Sequence, residues 1–286
     1  MKVLVTGATG MLGRVTALRF TARGDQVTVL QRRPSGLPTR EVLGDVADPD
    51  AVARALRGQD AVVHLAAKVD VVGRWDAYAH ANIEGTAQVV DGCLRAGVPR
   101  LVQVSSPSVA HAGRALVGVG AGAADPARAR GHYARSKAVS ELRALAADGP
   151  DLAVLALRPH LVWGPGDTQL VARIIARAKA GRLPLLGAGA ALIDTTYVDN
   201  AAAALVAAVD ACRPDGVHGE ALVVSNGEPR TVDEILGSLC RAAGVAGPAR
   251  RVPAWAGWLS PPGPDGWPGE RWRPPGRSAG ARTPRR

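Results

Sequence analysis

Tyr133 and Lys137 stand four residues apart in a chain that has only three tyrosines and four lysines among 286 residues. Random placement gives such a pair with a probability of about 0.04. On a helix, residues i and i+4 share a face, so the ammonium lies beside the phenol. A phenol normally keeps its proton to a pH of about 10, and a neighbouring cation lowers that value by stabilising the phenolate. Tuned in this way, a tyrosine can pass a proton to or from an alcohol or carbonyl oxygen near neutral pH. Taken alone, the pair is also what a solvated helix face offers, so the surrounding pattern has to decide.

A second group with chemical potential opens the chain. Gly7-Ala-Thr-Gly10-Met-Leu-Gly13 follows an apolar run and precedes a helical pattern. Gly7 suits the tight turn, Gly10 lets backbone approach a pyrophosphate, and Gly13 permits close packing of helix on strand. The unpaired N–H groups at the helix start then face phosphate oxygens. This placement predicts a dinucleotide site. About 20 residues on, where an acidic side chain would select NAD, the chain reads Leu30-Gln31-Arg32-Arg33. Arginine pairs with the 2′-phosphate of NADP, so NADP(H) is the expected preference, with NAD(H) as the second cofactor. A third group, Ser105-Ser106, ends another apolar run and places two hydroxyls where ligands meet such sheets.

The elements that must position these groups are legible as an alternation. Apolar runs at 3–5, 27–30, 61–65, 101–104, 152–157 and 221–224 are separated by helical patterns at 11–23, 49–57, 75–96, 132–147, 168–180 and 231–242. Such alternation implies right-handed βαβ units, hence an α/β fold with a doubly wound parallel sheet of the Rossmann type. Residues 1–160 are expected to form mainly this domain. Residues 161–250 would form mainly a small substrate lobe, with some elements returning to the sheet. The last 34 residues, 253–286, contain 14 Pro or Gly and four of the six tryptophans, and carry no helical or strand period. They read as an irregular tail, either a disordered or interaction segment or, in the preferred reading, the product of a shifted frame in a GC-rich gene.

Composition narrows the function classes. The chain is 47% hydrophobic and 21% charged, which suits a globular protein. The net charge of +10 comes from 31 arginines against four lysines, scattered except for +4 in the tail, and no nucleic-acid module accompanies it. No apolar run approaches the roughly 18 residues of a spanning helix, and no secretory signal opens the chain. Cys93, Cys212 and Cys240 are too few and too far apart for a disulfide framework or a zinc site, which points to a reducing cytoplasm and no metal.

Together these pieces resemble the extended short-chain dehydrogenases/reductases, the NAD-dependent epimerase/dehydratase superfamily, over residues 1 to about 245. The carrying motifs are Gly7/Gly10/Gly13, Gly44-Asp45, His64-Leu-Ala-Ala67, Asn82-Ile-Glu-Gly-Thr86, Ser105-Ser106, Tyr133 with Lys137, and Arg158-Pro159. The resemblance implies that Tyr133 is the acid/base, that Lys137 lowers its pKa and holds the nicotinamide ribose, that Ser106 orients the substrate oxygen, and that Asn82 supports this catalytic set. It implies cofactor contacts from Gly7, Thr9, Gly10, Met11, Leu12 and Gly13, from Arg32 and Arg33, from Asp45 and Val46 near the adenine, from Leu65, Ala66 and Ala67, and from Tyr133, Lys137 and Pro159.

Ser105-Ser-Pro-Ser-Val109 and Arg158-Pro-His-Leu-Val-Trp-Gly-Pro-Gly-Asp167 look most like the 3β-hydroxysteroid dehydrogenase/isomerase branch, whose bacterial members include reducers of long-chain 2-alkyl-3-keto acids. The expected activity is therefore alcohol–ketone interconversion on a hydrophobic 3-hydroxy or 3-keto small molecule, in an assembly that can be a homodimer. A sugar-nucleotide epimerase or dehydratase is the first alternative, although those enzymes usually carry a tyrosine where this chain has Ala110-His111. A non-catalytic NADP-binding regulator is the second. His111 and His160 are left outside the catalytic set.

Overall fold

The structure, a computed structural model, describes residues 1–69, 73–111, 116–248 and 250–253. The predicted irregular tail lies outside the described residues from 254 onward.

The amino-terminal half runs β1 (Lys2–Thr6), α1 (Met11–Ala22), β2 (Gln26–Gln31), β3 (Arg40–Leu43), α2 (Pro49–Leu56), β4 (Ala61–His64), α3 (Trp75–Tyr78), a π-helical stretch (Ala79–Glu84), α4 (Gly85–Ala96), β5 (Arg100–Val104), a 3-10 turn (Pro107–Ala110), α5 (Gly131–Leu145) and β6 (Ala153–Pro159). Next come β7 (Val162–Trp163), α6 (Val171–Lys179), β8 (Pro184–Leu186), β9 (Leu192–Ile193), β10 (Thr196–Tyr197), α7 (Val198–Ala211), β11 (Glu220–Val224), β12 (Arg230–Thr231), α8 (Val232–Ala242) and β13 (Arg250–Val252).

Seven strands form one sheet in the order β11-β6-β5-β4-β1-β2-β3, every neighbouring pair parallel. The doubly wound arrangement follows from the residues. Val3, Leu4 and Val5 are all fully buried, because alternate side chains of β1 enter opposite cores. Val3 and Val5 join Phe20 of α1 and Leu205 and Val209 of α7, whereas Leu4 joins Val52 and Leu56 of α2 and Val89 and Val90 of α4. The strand order reverses between β1 and β4, which opens a crevice at the carboxyl ends of the strands.

Several elements depart from the sequence reading, the short strands of the carboxyl-terminal half among them. The short edge strand β3 has one buried residue, Val42, and so lacks an apolar run. Helix α7 coincides with the alanine-rich run at 201–209, in which a helical period is invisible because nearly every position is apolar. The expected helix over 75–96 also changes gauge. Its residues 79–84 are π-helical, the form that single-turn insertions take where a side chain is re-aimed.

The carboxyl-terminal elements return to the sheet twice, through α7 and through β11. Otherwise they make short pairs, β7 with β10, β8 with β13 and β9 with β12. Ala178 of α6, Leu183 and Cys240 of α8 form a small separate cluster. Helix α8 starts on a capping box between Thr231 and Glu234. Among the described residues, no helix is long and apolar enough to cross a membrane.

Candidate active site

The glycine turn lies in the crevice at the end of β1. Gly7 has φ +75°, a left-handed conformation, and a Cβ there would sit 2.8 Å from the amide nitrogen of Ala66. A Cβ on Gly13 would sit 2.4 Å from the carbonyl oxygen of Gly7. The turn therefore closes only with glycine at both places, and it lies against the backbone of Leu65 and Ala66. Gly10 caps α1 in an extended conformation, and the first intrahelical bond runs from the Arg14 N–H to the Gly10 carbonyl. The amides of Met11, Leu12 and Gly13 precede that bond, and no acidic residue occupies the first turn. Such a positive, backbone-lined cradle fits the pyrophosphate of a dinucleotide.

The loop after β4 is held from behind. Thr6 Oγ1 accepts hydrogen bonds from the Leu65 and Ala66 N–H groups at 3.1 and 3.0 Å. With both its lone pairs used, the hydroxyl donates to His64 Nδ1 at 2.7 Å. The other ring nitrogen of His64 must then carry the proton and donate to Thr86 Oγ1 at 3.1 Å. Burial, helped by the nearby Lys137 charge, pushes the His64 pKa down to about 3, so the ring is neutral. This relay joins β1, β4 and α4 beneath the cofactor cradle.

Arg32 and Arg33 are exposed immediately after β2, where a ribose 2′ substituent would lie. Two further groups there escaped the sequence reading. Arg14 of α1 reaches the Ser35 carbonyl at 2.9 Å and so adds a cation to the same corner. Glu41 of β3 supplies an acidic side chain, but its Oε1 is occupied by Gln31 Nε2, the Ser35 N–H and the Ser35 hydroxyl. The Ser35 bonds hold its carboxyl below the usual range. Neither group was visible by spacing, because both reach this corner only through tertiary contact. Asp45 receives the Ala47 N–H at 2.9 Å, and Val46 is buried beside Gly85, where a Cβ would sit 2.7 Å from the valine side chain. Pro159 ends β6 as a buried residue, opposite Val224 of β11.

Ser106, Tyr133 and Lys137 meet beyond the end of β5. Ser106 Oγ lies 2.9 Å from Ser108 Oγ and accepts from the Ser108 N–H at 3.3 Å, so it is fixed by the 3-10 turn that follows it. Its hydroxyl also hydrogen-bonds the Tyr133 phenol. Ser105, by contrast, faces inward with its hydroxyl buried and unpartnered. The Lys137 ammonium donates to the Val104 carbonyl at 2.5 Å. Burial lowers its pKa to about 8 against the favourable charge of Glu141, one turn further along α5.

One expectation changes here. The phenol sits above, not below, its ordinary pKa, because burial outweighs the relief from Ser106. The Lys137 ammonium is itself held by the Val104 carbonyl. Asn82 clamps the backbone of the loop after β4 to α5. Its Oδ1 accepts from the Lys68 N–H at 2.7 Å, and its Nδ2 donates to the Lys68 carbonyl and to Ser136 Oγ. The π-helical stretch aims it between the post-β4 loop and α5. His160, left outside the catalytic set, lines a small cavity with Pro107, Leu116 and Val119.

Residues 3–225 match the NAD dependent epimerase/dehydratase family. The chain belongs to that family. Within it, the chain is 44% identical over 254 residues to a 2-alkyl-3-oxoalkanoate reductase of Stenotrophomonas maltophilia, covering 86% of this chain and 76% of the relative. It is 32% identical over 266 residues to a 3 beta-hydroxysteroid dehydrogenase/Delta 5-->4-isomerase of Mycobacterium tuberculosis, covering 88% and 72%. Among solved structures of the family fold, MoeE5 in complex with UDP-glucuronic acid and NAD superposes with a TM-score of 0.73 at 28% identity, covering 88% of this chain and 85% of that one. This member of the epimerase/dehydratase family is an NAD(P)-dependent oxidoreductase of the extended short-chain dehydrogenase/reductase superfamily.

Proposed function

We propose that the enzyme reduces a hydrophobic 3-keto substrate to its secondary alcohol, with NADP(H) preferred over NAD(H). The observation that carries this reading is the meeting of Ser106, Tyr133 and Lys137 at the sheet edge that also holds the glycine cradle. Bound in that cradle, the nicotinamide cofactor supplies a hydride to the carbonyl carbon. The chain's own residues handle the oxygen. The Ser106 hydroxyl donates a hydrogen bond to it, and Tyr133 transfers its phenolic proton to it as the C=O π bond breaks. The Lys137 ammonium, cationic at neutral pH, offsets the charge left on the phenolate until solvent returns a proton.

Arg32, Arg33 and Arg14 support the NADP(H) preference, because Glu41 is already occupied by Gln31 and Ser35. A hydrophobic substrate is supported by Leu116, Val117 and Val119, which are 46%, 74% and 59% exposed on the segment facing Pro107. Names of the relatives point the same way: an oxoalkanoate reductase and a steroid dehydrogenase. The test is NADPH oxidation with a long-chain 2-alkyl-3-keto acid, a 3-ketosteroid and a UDP-sugar. Tyr133→Phe is expected to lower kcat about 10³-fold while cofactor affinity persists. Undiminished turnover in that variant would refute the mechanism.

A further inference from the structure

Arg158 and Glu141 are each 1% exposed and lie directly behind the catalytic residues. Arg158 Nε and Nη2 donate side-on to the two Glu141 carboxylate oxygens, at 2.8 and 2.5 Å. The guanidinium has donors left over, and it spends them on one loop: Nη1 on the Ala121 carbonyl and Nη2 on the Gly122 carbonyl at 3.1 Å. A buried ion pair is weak evidence for stability, since apolar replacements of equal volume often serve as well. What an apolar pair could not do is hold an anion near Lys137 while gripping two backbone carbonyls.

Both attachments bear on the site. Glu141 follows Lys137 by one helical turn, and among the described residues it is the anion that acts on that ammonium. The other groups facing Lys137 add no negative charge: Tyr133 on its own helix is a neutral phenol, His64 on β4 is a neutral ring, and β5 offers the Val104 carbonyl. Arg158 on β6 has its charge matched by Glu141. The gripped loop, residues 116–124, carries the exposed Leu116, Val117 and Val119. With Arg158, His160, Val223 and Pro107, the residue after Ser106, it lines the small cavity on the substrate side. Its far end is anchored separately, by the Asp125 N–H on the Val109 carbonyl at 2.9 Å.

We propose that Glu141 and Arg158 are positioning residues, a single buried pair that both keeps Lys137 cationic and seats the 116–124 loop as the apolar wall of the substrate site. The inference rests on the catalytic reading of Lys137 given above. Its two halves are separable. Replacing the pair as Glu141→Gln/Arg158→Met removes the anion without stranding a buried charge. Arg158→Lys keeps a cation for Glu141 but cannot also reach both carbonyls.

The experiment is the pH profile of kcat/KM for NADPH and a long-chain 2-alkyl-3-keto acid. The paired replacement is expected to move the alkaline limb, which a Lys137 pKa of about 8 would set in the parent, about one unit toward acid. Arg158→Lys is expected to leave that limb in place and raise KM for the keto acid at least fivefold, with kcat within twofold. An unmoved limb in the first, or an unchanged KM in the second, overturns the proposal. Should the paired variant not fold, Glu141→Asp reads the same limb: a partial acid shift supports the proposal and no shift overturns it. If Tyr133→Phe proves fully active, the catalytic reading fails. The pH dependence of NADPH fluorescence on binding then still tests, without turnover, whether Glu141 sets the Lys137 charge.

Discussion

At the scale of single residues, the site is governed by what burial does to charge. Lys137 is 3% exposed and its pKa falls to about 8, while an unfolded chain keeps a lysine protonated to about 10.4. Between those values the unfolded state binds more protons, so stability rises with pH across that window. Lys137→Met should therefore gain up to about 3 kcal/mol relative to the parent at pH 7, less a constant loss from the stranded Val104 carbonyl. That gain should vanish as pH climbs from 8 to 10.5. Urea unfolding of both proteins at several pH values checks this, and a difference independent of pH would show that the ammonium is not penalised in the fold. Activity should fall in the same variant. The sequence showed the phenol, the cation and the hydroxyl, because their types and order are local. It misjudged the phenol's pKa, because the burial that raises it is set by tertiary packing, which spacing along one helix does not show.

At the scale of elements, the helical patterns that alternate polar and apolar residues were legible, and those lacking that contrast were not. Helix α7 is almost wholly apolar, so it showed no stripe; its burial against α1 explains why it needs none. The π-helical stretch was hidden for a different reason, since its cause is a contact. Asn82 in that stretch satisfies the Lys68 backbone on both sides and Ser136 on α5. Asn82→Leu should strand the Lys68 N–H and carbonyl, at about 1–3 kcal/mol for each group that stays buried. The loss should appear as a lowered urea midpoint together with a raised KM for cofactor, because the loop it holds carries Ala66 and Ala67. The His64 relay makes a pH prediction at the same scale. With its pKa down near 3 against about 6.5 unfolded, His64 takes up a proton only on unfolding, so stability should fall as pH drops from 6.5 toward 3. His64→Gln should flatten that part of the stability curve; an equally steep slope would place the acid sensitivity elsewhere.

At the scale of the whole molecule, the two halves of the sheet meet at the reversal between β1 and β4, and the proposed cofactor contacts come from both. Gly7 to Gly13, Arg32, Arg33 and Asp45 lie on the β1–β3 side, while Ala66, Ala67, Lys137 and Pro159 lie on the β4–β6 side. A ligand that binds across this junction stabilises only the chain in which both halves are folded and docked. At a hundredfold excess over Kd it should add about 2.7 kcal/mol, a rise in Tm of roughly 5–10 °C for a domain of this size. NADPH should give this shift at lower concentration than NADH. The variant Arg32→Ser/Arg33→Ser should bring the two titrations together by weakening NADPH alone, about tenfold or more for each charge-assisted bond lost. The ionic strength at which the titrations are run matters as well, because exposed arginines that held a 2′-phosphate would be screened over about 8 Å at physiological salt. NADPH stabilisation should therefore shrink with added salt while NADH stabilisation holds nearly constant. Equal salt dependence of the two cofactors would remove the arginines from 2′-phosphate recognition and leave the glycine cradle as the shared anion site.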